Sequence, residues 1–216
     1  MIGVIVPVHN EEAFLDDCIE SLLVAALHEG LGNEEVQVLL VLDACTDNSL
    51  QIAQAYGVRT LTCNHRNVGQ SRAHGAEHLL AAGARWLAFT DADSIVPRSW
   101  LADQLKFNVD AVCGLVQVID WSEHPLAVRE RYDAHYRIVE GHRHIHGANL
   151  GVSSTAYLDA GGFRALPTHE DVQLIADLER SGANIMWTAT NRVITSARKD
   201  CRCREGFGDF LQSLAE

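Results

Sequence analysis

Residues 2–8 read IGVIVPV and residues 36–42 read VQVLLVL. Successive side chains of a strand point to opposite faces, so a run that is apolar at every position must be covered on both faces. That is the condition of an inner strand in a sheet wrapped by helices, and it excludes a strand with one wet face. Two further strands are expected: a short third at 58–62 and a fourth in RWLAFT at 85–90. Helical spacing fills the gaps. Phe14, Leu15, Ile19, Leu22, Leu23 and Ala26 recur on one face between Glu11 and His28, with Asn10 as the expected cap and Gly30 and Gly32 as the stop. Thr46 or Asp47 can cap a helix running to Tyr56, and an Ala-rich helix runs from Val68 to Ala82 before Gly83. The alternation is β-α-β-α-β-α-β with short links. It predicts an α/β fold with a mainly parallel central sheet flanked by helices.

The second half is less regular. A helix is expected after Pro97, a strand at 111–119, a longer helix over 125–140 and another over 171–181 ended by Gly182. Residues 146–154, HGANLGVSS, read as an irregular Gly-rich segment. Two short strands are expected at 184–188 and 192–195, and GFGDFLQSL as a closing helix. There is no internal repeat and no low-complexity linker. The expectation is one domain over 1–216, with a regular half over about 1–95 and a less regular half over about 96–216.

In open α/β sheets, ligands bind beyond the carboxyl ends of the strands. Here those ends carry His9–Glu12, Asp43 and the pair Asp91 and Asp93 in AFTDADSIVP. Two carboxylates two residues apart at a strand tip can converge on a hard cation such as Mg²⁺ or Mn²⁺, which leaves coordination positions for phosphate oxygens. Asp93 or Ser94 would serve equally as a helix cap after Pro97. Asp43 can accept hydrogen bonds from a base or a ribose, or hold a turn. His9 can stack on or bond a ring, and Glu11 and Glu12 suit the first turn of a helix.

Charge narrows the partners. The formal net charge is −12, from 17 Lys and Arg against 29 Asp and Glu, a field of the wrong sign for nonspecific binding to nucleic acid or anionic lipid. An anionic substrate therefore requires a local cation, either metal or arginine. The six cysteines include no CxxC pair, Cys201 and Cys203 read as free thiols, and no apolar stretch approaches the ~18 residues of a membrane span. A cytoplasmic protein without a leader is the expectation.

These motifs, in this order, resemble glycosyltransferase family 2, whose members have the nucleotide-sugar-binding GT-A fold. IVPVHNEE matches the first-strand motif, and LDACTDNS matches the second with Leu42 in place of the first Asp of the family's pair. NVGQSRAHG matches at Asn67, Gly69, Arg72 and Gly75, with Ala73 where the family has Asn. DAD supplies the D-x-D, GANLGVSSTAYLDAGGF the G-x-N and G-G-F block, and HEDVQL the E-D of the catalytic region. The resemblance spans roughly residues 2–197.

It implies a metal-dependent enzyme that moves one sugar from a nucleotide-diphosphate sugar donor to an acceptor hydroxyl, with inversion expected although sequence does not fix the stereochemistry. The acceptor would be a saccharide, a lipid-linked molecule or a small molecule, and the resemblance makes about 1–95 the nucleotide-binding half and about 96–216 the acceptor-binding half. Asp43, Pro7, His9, Glu11, Gly69 and Arg72 would belong to the donor pocket, and Asp91 would reach the ribose or the metal. Asp93 would bind a divalent Mn²⁺ or Mg²⁺, and Asp171 would be the general base, with Glu170 as runner-up. His146, from GHRHIHGAN, is the preferred histidine for the metal or a phosphate; an exposed histidine run is the alternative. The Q-x-x-R-W of processive synthases is absent. The basic tail from Arg198 can cover the diphosphate, touch a membrane-bound acceptor or remain solvated. A sugar-nucleotide-forming nucleotidyltransferase and a non-catalytic nucleotide-sugar-binding protein are the alternative functions.

Overall fold

A computed structural model describes residues 1–200 and 206–215. The chain runs β1 (Ile2–Val8), α1 (Leu15–Ala26), β2 (Val36–Asp43), α2 (Ser49–Ala55), β3 (Arg59–Cys63), α3 (Val68–Ala81) and β4 (Trp86–Phe89). Then come β5 (Ser94–Ile95), α4 (Trp100–Leu105), β6 (Ala111–Gln117), α5 (Leu126–His135), β7 (Leu150–Ser153) and α6 (Ser154–Asp159). The last elements are α7 (Glu170–Ser181), β8 (Ile185–Thr195) and α8 (Phe207–Ser213). The eight strands form one sheet in the order β3-β2-β1-β4-β7-β6-β8-β5.

The doubly apolar runs do what their pattern requires. Val4, Val6, Val38, Leu40 and Leu42 join Leu15, Ile19 and Leu22 of α1 and Trp100 of α4 in one core. The intervening residues Ile5, Leu39, Val41, Leu87 and Phe89 pack on the opposite side against Leu79 of α3 and Leu174, Ile175 and Leu178 of α7. A third, smaller core gathers Tyr132 and Tyr136 with Leu211 over Leu115, Val116 and Ala189.

The first four strands pair in parallel, as expected. Beyond β4 the sheet is mixed: β7 inserts antiparallel between β4 and β6, β6 pairs β8 in parallel, and β5 pairs β8 antiparallel. The segment read as irregular at 146–154 thus contains a buried central strand, Leu150–Ser153. The two short strands expected near the end are one strand, β8. Its pairing with β6 breaks between Trp187 and Arg192, so 188–191 form a bulge between the two expected segments. Asn149 occupies that break. Its amide donates to the Leu115 and Asn191 carbonyls at 2.9 and 3.0 Å, and its oxygen accepts from the Trp100 indole at 2.9 Å.

The caps differ in detail. Asn10 is not the cap of α1: it is left-handed at φ 57°, and its side-chain oxygen accepts from the Thr46 N–H instead. Asp47 accepts from the Ser49 N–H at the start of α2 and from the Glu12 N–H, tying the two loops together. The α5 helix ends at His135, short of the expected 140. No helix among the described residues is long and apolar enough to cross a membrane.

Candidate active site

β2, β1 and β4 are neighbours and run in the same direction, so their carboxyl ends deliver Asp43, His9 with Glu11, and Asp91 with Asp93 to one edge. These residues line a cleft of about 1380 Å³, closed on the far side by Glu170, Asp171 and His146. Pro7 and Arg72 also line it. Gly69 does not; it is the second residue of α3, where a Cβ would come within 2.8 Å of the Arg164 carbonyl and 3.0 Å of Glu170. Its lack of a side chain lets α3 and α7 approach each other.

Asp43 is buried and fastens the loop before α3. Oδ1 accepts from the Arg66 N–H at 2.8 Å, and Oδ2 accepts from the Asn67 N–H at 3.0 Å and the Ser71 hydroxyl at 2.9 Å. Burial works to raise its pKa, yet these donors together hold it below the ordinary carboxylate value. His9 donates from Nδ1 to the Asp43 carbonyl at 2.6 Å, so its ring is set against the strand end.

Arg72 is buried at the cleft floor between two acids. One arm meets Glu170, the other Asp91 at 2.5 Å. Gly147 makes room for it: a Cβ there would stand 2.5 Å from the guanidinium. Glu170 is itself buried, and burial raises its pKa even against the pull of Arg72. Asp171, the next residue on α7, is half-buried. Its Oδ2 accepts from the Gly147 N–H at 2.7 Å and its Oδ1 from the Val172 N–H at 2.8 Å.

A second cationic element comes from the tail. Arg198 forms a two-pronged pair with Glu11 at 2.5 and 2.6 Å, approaches Asp93 at 3.3 Å, and lies over the Phe14 ring. Burial and the charge of Asp91 nevertheless push the Asp93 carboxyl up to about 7. A carboxylate pair at one strand end, with its all-oxygen donor set, fits a divalent cation. Among the described residues Asp91, Asp93 and His146 do not gather into a three-ligand cluster. His146 Nε2 lies 2.8 Å from the Tyr136 hydroxyl, and burial with its histidine neighbours pushes its pKa down to about 3.

Residues 3–164 match the sequence model described as Glycosyl transferase family 2. The chain belongs to this family. Two relatives from Bacillus subtilis (strain 168) are each 31% identical to it: the uncharacterized glycosyltransferase EpsJ over 44% of the chain, and the minor teichoic acid biosynthesis protein GgaB over 49%. The matched stretches span 27% and 12% of those proteins. Among solved structures, S. aureus TarS 1-349 in complex with UDP-GlcNAc is similar at TM-score 0.70 and 18% identity, covering 95% of this chain and 61% of that one. The mannosyltransferase PcManGT from Pyrobaculum calidifontis, in complex with GDP-Man and Mn²⁺, is similar at TM-score 0.70 and 16% identity, covering 92% and 57%. The fold is that of the GT-A glycosyltransferases.

The family 2 chain adds an aromatic wall that its sequence did not announce. The histidines of GHRHIHGAN are not an exposed run: His142 is buried with Nε2 3.1 Å from the Thr188 carbonyl, and His144 stacks on Tyr136 with ring centroids 4.2 Å apart. Tyr136, His144, His146, Phe207 and Phe210 all line the cleft. Tyr136 sits at the end of a helix of low apolar content, so only its own ring and the nearby histidines signalled it. Arg198 was legible as part of the basic tail; Cys201 to Arg204 of that tail lie outside the described residues.

Proposed function

We propose that this protein transfers a single sugar from a nucleoside-diphosphate donor to an acceptor hydroxyl. The observation that carries the reading is the convergence of Asp43, His9, Glu11, Asp91 and Asp93 from three adjacent strand ends onto one cleft, facing Glu170 and Asp171 across it. The Asp43 and His9 side takes the nucleoside, with Pro7 beneath it and Arg72 fixing the floor. Asp93 with Asp91 would hold Mn²⁺ or Mg²⁺, which when bound supplies positive charge for the departing diphosphate. Arg198, held between Glu11 and Asp93, offers a second cation to the same oxygens.

Asp171 is the general base. Glu170 is locked on Arg72 and buried, whereas Asp171 keeps a half-exposed carboxylate in the cleft wall, oriented by two backbone N–H donors. As the acceptor oxygen attacks the anomeric carbon, its proton passes to Asp171, and the sugar–phosphate bond breaks toward the strand ends. With base and leaving group on opposite sides of the sugar, the anomeric centre inverts. The aromatic wall, built from the 96–216 half, provides flat apolar faces for the acceptor.

Purified protein with Mn²⁺ and a panel of nucleotide sugars should release nucleoside diphosphate slowly, and faster with a suitable acceptor. Asp171→Asn should keep donor binding and lower transfer by about 10²–10⁴-fold, the usual contribution of a general base. Binding of donors with no turnover under any acceptor would favour a non-catalytic nucleotide-sugar-binding protein. Undiminished transfer by Asp171→Asn would remove it as the base.

A further inference from the structure

Next to Asp43, Cys63 ends β3, His65 follows two residues later and His74 approaches from α3. Cys63 Sγ and one ring nitrogen from each histidine all lie within 4.8 Å of one another. The two imidazoles meet edge to face with centroids 5.6 Å apart. His74 Nδ1 is buried and has no hydrogen-bond partner. A buried polar atom without a partner is costly and calls for an explanation. Beside the cluster lies a hollow of about 260 Å³, lined by His65, His74, Gln70 and Glu77 among others.

We propose that Cys63, His65 and His74 form a second metal site, separate from Asp91 and Asp93, that binds Zn²⁺ and leaves its fourth position to water or Glu77. One thiolate and two imidazoles are a borderline-soft donor set that selects Zn²⁺ over the hard cations suited to paired carboxylates. Tetrahedral bonds of about 2.3 Å to sulfur and about 2.0–2.1 Å to nitrogen place ligand atoms about 3.3–3.6 Å apart, so the present cluster closes with movements of about 1 Å. His65 is exposed and supplies most of that movement by side-chain rotation. On binding, the Cys63 thiol releases its proton to solvent, the thiolate takes the metal, and both imidazoles bind as neutral donors.

The placement gives the site a role. Cys63 is paired in register with Asp43 across β2 and β3. A cation on Cys63, His65 and His74 therefore clamps β3 to α3 beside Asp43, across the same segment whose Arg66 and Asn67 N–H groups bind that carboxylate.

The test is a cobalt(II) titration of the metal-free full chain, without an added histidine tag, in a Cys201→Ser/Cys203→Ser background. One equivalent should produce a near-ultraviolet thiolate-to-cobalt charge-transfer band with the visible bands of a tetrahedral ion, both displaced by Zn²⁺. Cobalt at Asp91 and Asp93 has oxygen donors and gives no such band, which keeps the two sites distinct. Cys63→Ser should abolish the band. His65→Ala, at an exposed position, and His74→Ala should each weaken binding by more than the roughly 10–100-fold that loss of an outer-shell partner costs. Folded protein that gives no thiolate band, a band that survives Cys63→Ser, or full affinity in both histidine variants would overturn the assignment.

Discussion

Replacing Arg72 by Met removes the one cation between Glu170 and Asp91 while keeping an unbranched apolar stem. The two carboxylates are left in different positions. The Asp91 side chain is 36% exposed and can be solvated, whereas the Glu170 side chain is 5% exposed. Removing one partner of a buried ion pair costs about 3–5 kcal/mol, because the remaining charge is uncompensated. With a urea m-value near the upper end for small proteins, about 3 kcal/mol/M, the unfolding midpoint should fall by about 1–1.7 M. The Arg72→Met, Glu170→Gln and double variants complete a cycle. The packing defect of the methionine appears in both Arg72→Met arms and cancels, so the double variant should recover most of the loss.

The pH dependence has a definite sign. Burial raises the Glu170 pKa in the folded state, so the folded protein holds the proton more tightly than the unfolded chain. Its contribution to stability is present below the ordinary glutamate value and is lost as pH rises through the raised one. Without Arg72 the raised value climbs further, so the destabilisation by Arg72→Met should shrink on acidification toward the ordinary glutamate range. A midpoint shift under about 0.3 M, or a coupling energy below about 0.5 kcal/mol, would refute the claim that Arg72 and Glu170 act as a buried pair.

Arg198→Ala frees Glu11 and Asp93 of their covering guanidinium, so Mn²⁺ binding to nucleotide-free protein should tighten by roughly tenfold, about the worth of one hydrogen bond to a charged group. Isothermal titration calorimetry checks this, and unchanged or weaker binding would show that Arg198 does not compete at Asp93. Gly147→Ala drives a methyl group into the pinned Arg72 guanidinium, and such overpacking should cost about 1–3 kcal/mol in urea unfolding. A loss below about 0.5 kcal/mol would mean that the arginine moves aside without leaving its carboxylates.

The strand-end side of the cleft was legible because its signals are local. A strand buried on both faces reads as an unbroken apolar run, and the polar residue that ends it marks the sheet edge without further information. The E-D pair is legible through motif resemblance, but its split geometry is not: Glu170 is buried on Arg72, while Asp171 is half-buried and accepts from the Gly147 N–H. Strand β7 escaped notice because LGVS is four residues long and follows Gly147 and Asn149, which read as turn residues; its neighbours on both sides make it a strand. The break in β8 was visible as polar Thr190 and Asn191, yet not that Asn149 would fill it. The C-x-H at Cys63 gave no metal pattern, since its third member lies on a helix and joins it only after folding.

The place of β7 beside β4 has a consequence for synthesis. Phe89, the last residue of β4, lies roughly 60 residues before the end of β7, so at 5–20 residues per second the ribosome needs about 3–12 s to deliver the covering strand. During that interval β1 to β4 can pair with one another, but β4 presents an open, apolar edge of unmatched N–H and C=O groups. The nascent first half is therefore a natural client for a chaperone, and slowing translation between residues 90 and 150 should lower the yield of soluble chain more than slowing it elsewhere.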